Sequence, residues 1–149
     1  CCLEHDLRNV TGARRFLAPG DPVLTSHVSG SFDVTMTPEP GDFPARQRLD
    51  KRYHGALQAT GVGLMLAHVS AVRGSAGYVA VERITGTLEG REGSFVVQHS
   101  GLMDRGAPTL VIHVVPDSGT GALAGLAGRM GIRIEGGRHF YDFDYTLPA

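Results

Sequence analysis

Between residues 27 and 37 apolar and polar side chains alternate. Val28, Gly30, Phe32, Val34 and Met36 share one parity, and His27, Ser29, Ser31, Asp33 and Thr35 the other. A period of two gives a strand with one apolar and one polar face. The same reading predicts further strands over 46–59, 62–71, 77–88, 93–103, 109–116, 129–135 and 138–147. Glycines punctuate these runs, with Pro38–Pro44 as a loop and Gly61 and Gly63 marking a bend between the second and third strands. In the last strand His139, Tyr141, Phe143 and Tyr145 alternate with Asp142 and Asp144, so the aromatic face is the buried one.

Eight short strands with tight antiparallel connections and no long helical pattern predict an all-β, eight-stranded antiparallel β-barrel, since closure removes unpaired edges. The barrel domain is expected over 27–149. Residues 1–26 are charged, carry two prolines and show no period, so they are expected to form an arm, with a short helix around Glu4–Val10.

Composition narrows the partners. The 14 basic and 15 acidic residues nearly cancel, which leaves no field for nucleic acid or an anionic membrane. No apolar run is long enough to span a bilayer as a helix. The only cysteines, Cys1 and Cys2, are adjacent, a spacing that rarely bridges and that offers no disulfide framework. Arg14-Arg15 is followed by Phe16–Pro22, which is no apolar export segment. The expectation is a cytoplasmic protein.

The most informative stretch is Tyr78–Met103, whose centre, Glu89-Gly90-Arg91-Glu92-Gly93, is a turn by composition. A turn centred on Gly90-Arg91 sets Ile84 opposite Val97, Gly86 opposite Phe95, Tyr78 opposite Met103 and Glu82 opposite His99. Arg83 with Gln98 and Thr87 with Ser94 then fall on the solvent side. A Glu and a His on one apolar face are candidate catalytic residues. Burial raises the carboxyl and lowers the imidazole, and their attraction does the reverse, so the pair suits proton transfer. The same pair also fits a satisfied ion pair that closes the barrel and does no chemistry.

Lys51 and Tyr53 share parity with Leu49 and Leu57, so Lys51 points inward or snorkels from the rim. His113 falls on the polar parity of its strand. The seven histidines show no paired ligand spacing, so neither metal nor other cofactor is expected. The glycine-rich run Ser118–Leu126 follows a strand, but no phosphate-loop lysine and no βαβ unit accompany it. A turn with a short helical segment plugging one barrel end is the better account.

Three segments occur in order: Glu82-Arg83-Ile84-Thr85-Gly86-Thr87-Leu88, Gly93-Ser94-Phe95-Val96-Val97-Gln98-His99-x-Gly101, and Val115-Pro116-x-Ser118-Gly119-Thr120-Gly121-x-Leu123-x-Gly125-Leu126. Together they resemble an uncharacterised bacterial family, domain of unknown function 3224 (DUF3224), over about residues 27–147. Ile112 stands where that family's pattern carries a tryptophan. The resemblance implies a barrel like that of allene oxide cyclase and no assigned activity. Fold relatives of that kind steer ring closure of flexible apolar substrates, and a homo-oligomer is plausible on the same ground.

The leading expectation is therefore a barrel that binds a small apolar organic ligand, as an isomerase or cyclase with Glu82 and His99 as acid–base pair. Lys51, Tyr53, Tyr78, Phe95, Tyr141, Phe143 and Tyr145 are the candidate ligand-binding residues. Two alternatives stay open: a non-catalytic carrier or sensor, and an oligomeric interaction module with a packed barrel.

Overall fold

The alternating segments form eight strands in a computed structural model that describes residues 25–148. They are β1 (Ser26–Glu39), β2 (Ala45–Gly55), β3 (Leu57–Val69), β4 (Ala76–Leu88), β5 (Arg91–Asp104), β6 (Ala107–Val114), β7 (Ala127–Glu135) and β8 (Arg138–Thr146). Each strand pairs antiparallel with the next, and β8 returns to β1, so the sheet is a closed barrel. The expected arm and its helix around Glu4–Val10 lie outside the described residues, apart from the last two positions of the arm.

Inward positions keep the parity that the alternation assigns. Tyr141, Phe143 and Tyr145 of β8 are buried, and His113 of β6 is exposed between buried Ile112 and Val114. Two boundaries differ from the sequence expectation. The bend between β2 and β3 falls at Gly55-Ala56, where Gly55 takes a φ of 104° that a side chain would resist. Gly61 and Gly63 lie instead in the middle of β3.

The β4–β5 turn is centred on Glu89-Gly90, not Gly90-Arg91. Both residues have positive φ, 47° and 80°, as a two-residue type I′ hairpin requires. The pairing therefore shifts by two residues: Ile84 faces Phe95, Gly86 faces Gly93, Glu82 faces Val97 and His99 faces Ala80. Because the shift is even, every side chain stays on its expected face.

The barrel has two unlike ends. β6 and β7 share only the pairs Ile112–Met130 and His113–Arg129, and the chain between them fills the gap. Along β5, Val115 N–H donates to Val96 O, Thr120 N–H to Ser94 O, Ser94 N–H to Thr120 Oγ1 and Val96 N–H to Ser118 Oγ. A short 3-10 helix, Gly121–Leu123, then drives Leu123 and Leu126 into the interior, as the glycine-rich run suggested. There they join Leu57, Ile84, Leu88, Phe95, Phe143 and Tyr145 in a continuous apolar core. At the other end the inward parity is not sealed. Met36, Met103, Leu110 and Ile134 have inward parity yet are 38–67% exposed, so they form an apolar rim.

Candidate functional site

Among the described residues a lysine, a glutamate and a histidine are buried between the plugged core and the rim: Lys51, Glu82 and His99. Each is inward by parity, Lys51 between Leu49 and Tyr53, Glu82 between Ala80 and Ile84, and His99 between Val97 and Gly101. Lys51 and Glu82 lie on β2 and β4, with β3 between them. Lys51 faces Gly61 across one ladder, and Glu82 faces Gly63 across the other. With no side chain at either glycine, the lysine and the glutamate meet over the strand that separates them.

Glu82 is the hub. Its Oε1 accepts from Lys51 Nζ at 3.0 Å and from His99 Nε2 at 3.0 Å, and its Oε2 accepts from Tyr53 Oη at 2.5 Å. The Glu82–His99 contact is thus diagonal rather than directly opposed, which long side chains still bridge. Lys51 Nζ also lies 5.1 Å from the Phe32 ring centroid and 5.9 Å from that of Tyr53, a position that favours a cation against aromatic faces.

Burial pushes the Glu82 carboxyl up, and this is the largest single effect on it. The His99 hydrogen bond, the Lys51 charge and the bonds from Tyr53 and Lys51 together outweigh it and hold the carboxyl below its ordinary range. Glu82 is therefore an ionised acceptor for the proton on His99 Nε2. In the neutral imidazole that bond leaves the lone pair on Nδ1. Among the described residues Nδ1 has no protein partner, and no fully buried side-chain nitrogen or oxygen is left without one. Nδ1 is thus the nitrogen of this buried ring that no described side chain engages.

Burial, followed by the Glu82 charge and hydrogen bond, raises Tyr53 well above the ordinary tyrosine range, so it stays a neutral donor. Tyr78 is raised by burial and then by the Glu82 charge. Its ring centroid lies 6.3 Å from that of His99. A Cβ on Gly101 would meet this ring at 2.3 Å, so Gly101 is where Tyr78 covers the rim side of His99.

The other candidate ligand residues lie elsewhere in the barrel. Phe95 stacks on Phe143 at 5.8 Å in the plugged core, and Tyr145 bonds Glu89 at the β4–β5 turn. Tyr141 packs edge-on to Tyr53 at 5.7 Å, and its hydroxyl receives Leu57 N–H and donates to His54 O, tying β8 to the β2–β3 turn. The structure therefore gathers Lys51, Tyr53, Glu82 and His99, with Tyr78 beside them, and sets the remaining four toward the plug. Sequence reasoning missed Phe32, Gly61 and Gly63. The signal for the glycines was their inward parity next to an inward lysine. Among the described residues no three His, Cys, Asp or Glu side chains converge as metal ligands.

The cluster sets an acid limit on stability. Because the folded Glu82 value is depressed, the unfolded chain binds more protons in acid. The stabilisation is complete above the ordinary glutamate value of 4.5 and is lost as pH falls through the depressed one. Urea midpoints of the wild type and Glu82→Gln are expected to converge on acidification. A gap that stays constant from neutral to strongly acidic pH would show that Glu82 titrates alike in both states.

Among the described residues no helix is long and apolar enough to cross a membrane. No curated protein matches the chain. A solved structure from Shewanella oneidensis MR-1, described as a protein with unknown function from the DUF3224 family, is 47% identical to it. That similarity covers 85% of this chain and 100% of the other, with a TM-score of 0.81. The family model described as protein of unknown function (DUF3224) matches residues 28–145, from the start of β1 almost to the end of β8, and the chain belongs to that family.

Proposed function

We propose that the barrel binds a small, largely apolar organic molecule through its rim end and acts on it as an isomerase or cyclase by general acid–base chemistry. The observation that carries this reading is the pairing of two features. The buried Lys51–Glu82–His99 cluster, with its ionised carboxylate, lies beneath an exposed ring of Met36, Met103, Leu110 and Ile134. Apolar walls with a few fixed polar groups at the floor are the usual composition of a ligand site. Exposed apolar side chains with inward parity also need an explanation that a packed barrel does not supply. The resemblance to the allene oxide cyclase barrel supports the same direction, by fold alone.

One observation favours a carrier without turnover as the second reading. Glu82 is already satisfied by three internal donors, so a ligand is not needed to complete it.

The test is methyl NMR on the full chain titrated with small apolar ketones. Shifts are expected at Met36, Met65, Met103, Leu110 and Ile134, with Leu57, Leu88 and Leu123 still. Shifts confined to outer-wall residues such as Val62, Val79 and Val81 would remove the barrel interior as the binding site.

A further inference from the structure

The Lys51–Glu82–His99 cluster divides its labour in a way that selects a substrate. We propose that His99 Nδ1 is the base that removes a proton from the carbon beside a carbonyl. In this proposal Lys51 Nζ holds the resulting enolate oxygen, so the substrate class is a small, apolar, enolisable carbonyl compound. The inference rests on the ligand-binding reading above and names its chemistry.

Glu82 itself is excluded as the base by geometry. Both its oxygens are occupied by donors, and the residue has no exposed surface. Its part is that of a positioning residue: it fixes the His99 tautomer and receives the charge of the imidazolium when Nδ1 is protonated. Lys51 has three N–H donors and, among the described residues, one side-chain acceptor, Glu82 Oε1, which leaves donors to face a ligand oxygen. Lys51 and His99 bond the same glutamate oxygen, so the ammonium and the imidazole ring flank one carboxylate. In this proposal the carbonyl oxygen faces the ammonium and the neighbouring carbon faces Nδ1.

The charge of the floor argues for a carbonyl over a phosphate or a dianion. Lys51 and Glu82 cancel, and Arg46, Arg48, Arg52, Arg83, Arg129 and Arg133 are on outward parity. One ammonium already paired to a carboxylate suits an oxygen whose charge develops during reaction.

The step balances within the site. The C–H bond breaks as the N–H bond at Nδ1 forms, the C–H electron pair becomes the enolate double bond, and the carbonyl π pair moves to oxygen against Lys51. Return of the proton to the same carbon gives exchange. Return to the far carbon of a β,γ-unsaturated ketone gives its conjugated isomer. No oxidant, reductant or second substrate is required.

The test uses the full chain in D2O with the β,γ-unsaturated isomer of cyclohexenone, followed by proton NMR and by the absorbance of the conjugated product. Wild type is expected to accelerate exchange and conversion. His99→Gln, which keeps a donor to Glu82 and removes the lone pair, is expected to lose about 10²–10⁴-fold. Lys51→Gln is expected to lose about 10²-fold, with the rim methyls still shifting on titration. Nitrogen-15 NMR of the unliganded wild type, which needs no variant to fold, should show Nε2 protonated and Nδ1 bare.

An unchanged rate in His99→Gln, or a proton on Nδ1, overturns the assignment. Rim methyl shifts without exchange overturn the carbonyl chemistry and leave the ligand-binding reading standing. No methyl shift at saturating ketone removes both.

Discussion

Lys51→Met is expected to cost about 3–5 kcal/mol of folding stability at neutral pH, far more than a surface ion pair would lose. Methionine fills much the same volume, so the loss is not one of packing. It arises because Glu82, with no exposed surface, keeps its charge and loses its cation. His99 and Tyr53 remain as donors, and they limit the loss without replacing the charge. Adding Glu82→Gln to Lys51→Met should recover much of the loss. The amide oxygen accepts from Tyr53, and its NH2 donates to His99 once the imidazole switches tautomer. Urea unfolding followed by far-UV circular dichroism measures all four corners of the cycle, since the chain has no tryptophan to report. A cost near the ~0–1 kcal/mol of exposed pairs would mean that water reaches Lys51 and that the cluster is not a closed unit.

This electrostatic arrangement explains why an ionised carboxylate can sit inside an apolar barrel at all. Desolvation alone would neutralise it. Three donors from β2 and β5 offset that cost, and the Lys51 cation against the Phe32 face keeps the group close to electrically neutral. The same carboxylate holds the His99 ring by Nε2, so the contacts that stabilise the charge also orient the imidazole.

Much of this was legible in the chain. Alternation in β1, β4, β5 and β8 carries the barrel, and parity places Tyr53, Glu82 and His99 inside while leaving Lys51 either inward or snorkelling from the rim. The hairpin register survived an error for a physical reason. The Glu89-Gly90-Arg91-Glu92-Gly93 run offers more than one turn, and a glutamate at positive φ is an uncommon choice, yet a shift of two residues preserves both faces. What composition could not show is contact between strands that are not neighbours. Lys51 and Glu82 meet because Gly61 and Gly63, which read as a bend, lie between them in the middle of β3. Glycine in a strand marks either a turn or a close approach, and only the three-dimensional pairing decides which. The aromatic candidates show the complementary limit. Parity puts Phe95 and Phe143 inside the barrel but does not say which half the Leu123 plug fills.

Gly63→Ala is the substitution expected to damage the site most through the backbone. A Cβ there would lie 2.4 Å from Val81 O and 2.9 Å from Glu82 Cα, both main-chain atoms of the paired strand. No rotamer relieves that contact, so β3 and β4 must part at the residue that carries the hub carboxylate. The expected cost is about 3 kcal/mol, the upper end of ordinary overpacking. Gly61→Ala makes a useful contrast. Its Cβ would meet Glu82 Oε2 at 2.1 Å, the end of a side chain that can swing. The carboxylate must then leave Tyr53, to which that oxygen is bonded at 2.5 Å, but the ladder stays intact. Gly61→Ala should therefore cost less, about 1–2 kcal/mol, while lowering the Tyr53 hydroxyl toward the ordinary tyrosine range. Urea unfolding gives the first comparison, and ultraviolet titration of the tyrosines gives the second. Equal costs for the two alanines would show that β3 yields as a whole, and that the glycines serve the strand's curvature rather than the contact between Lys51 and Glu82.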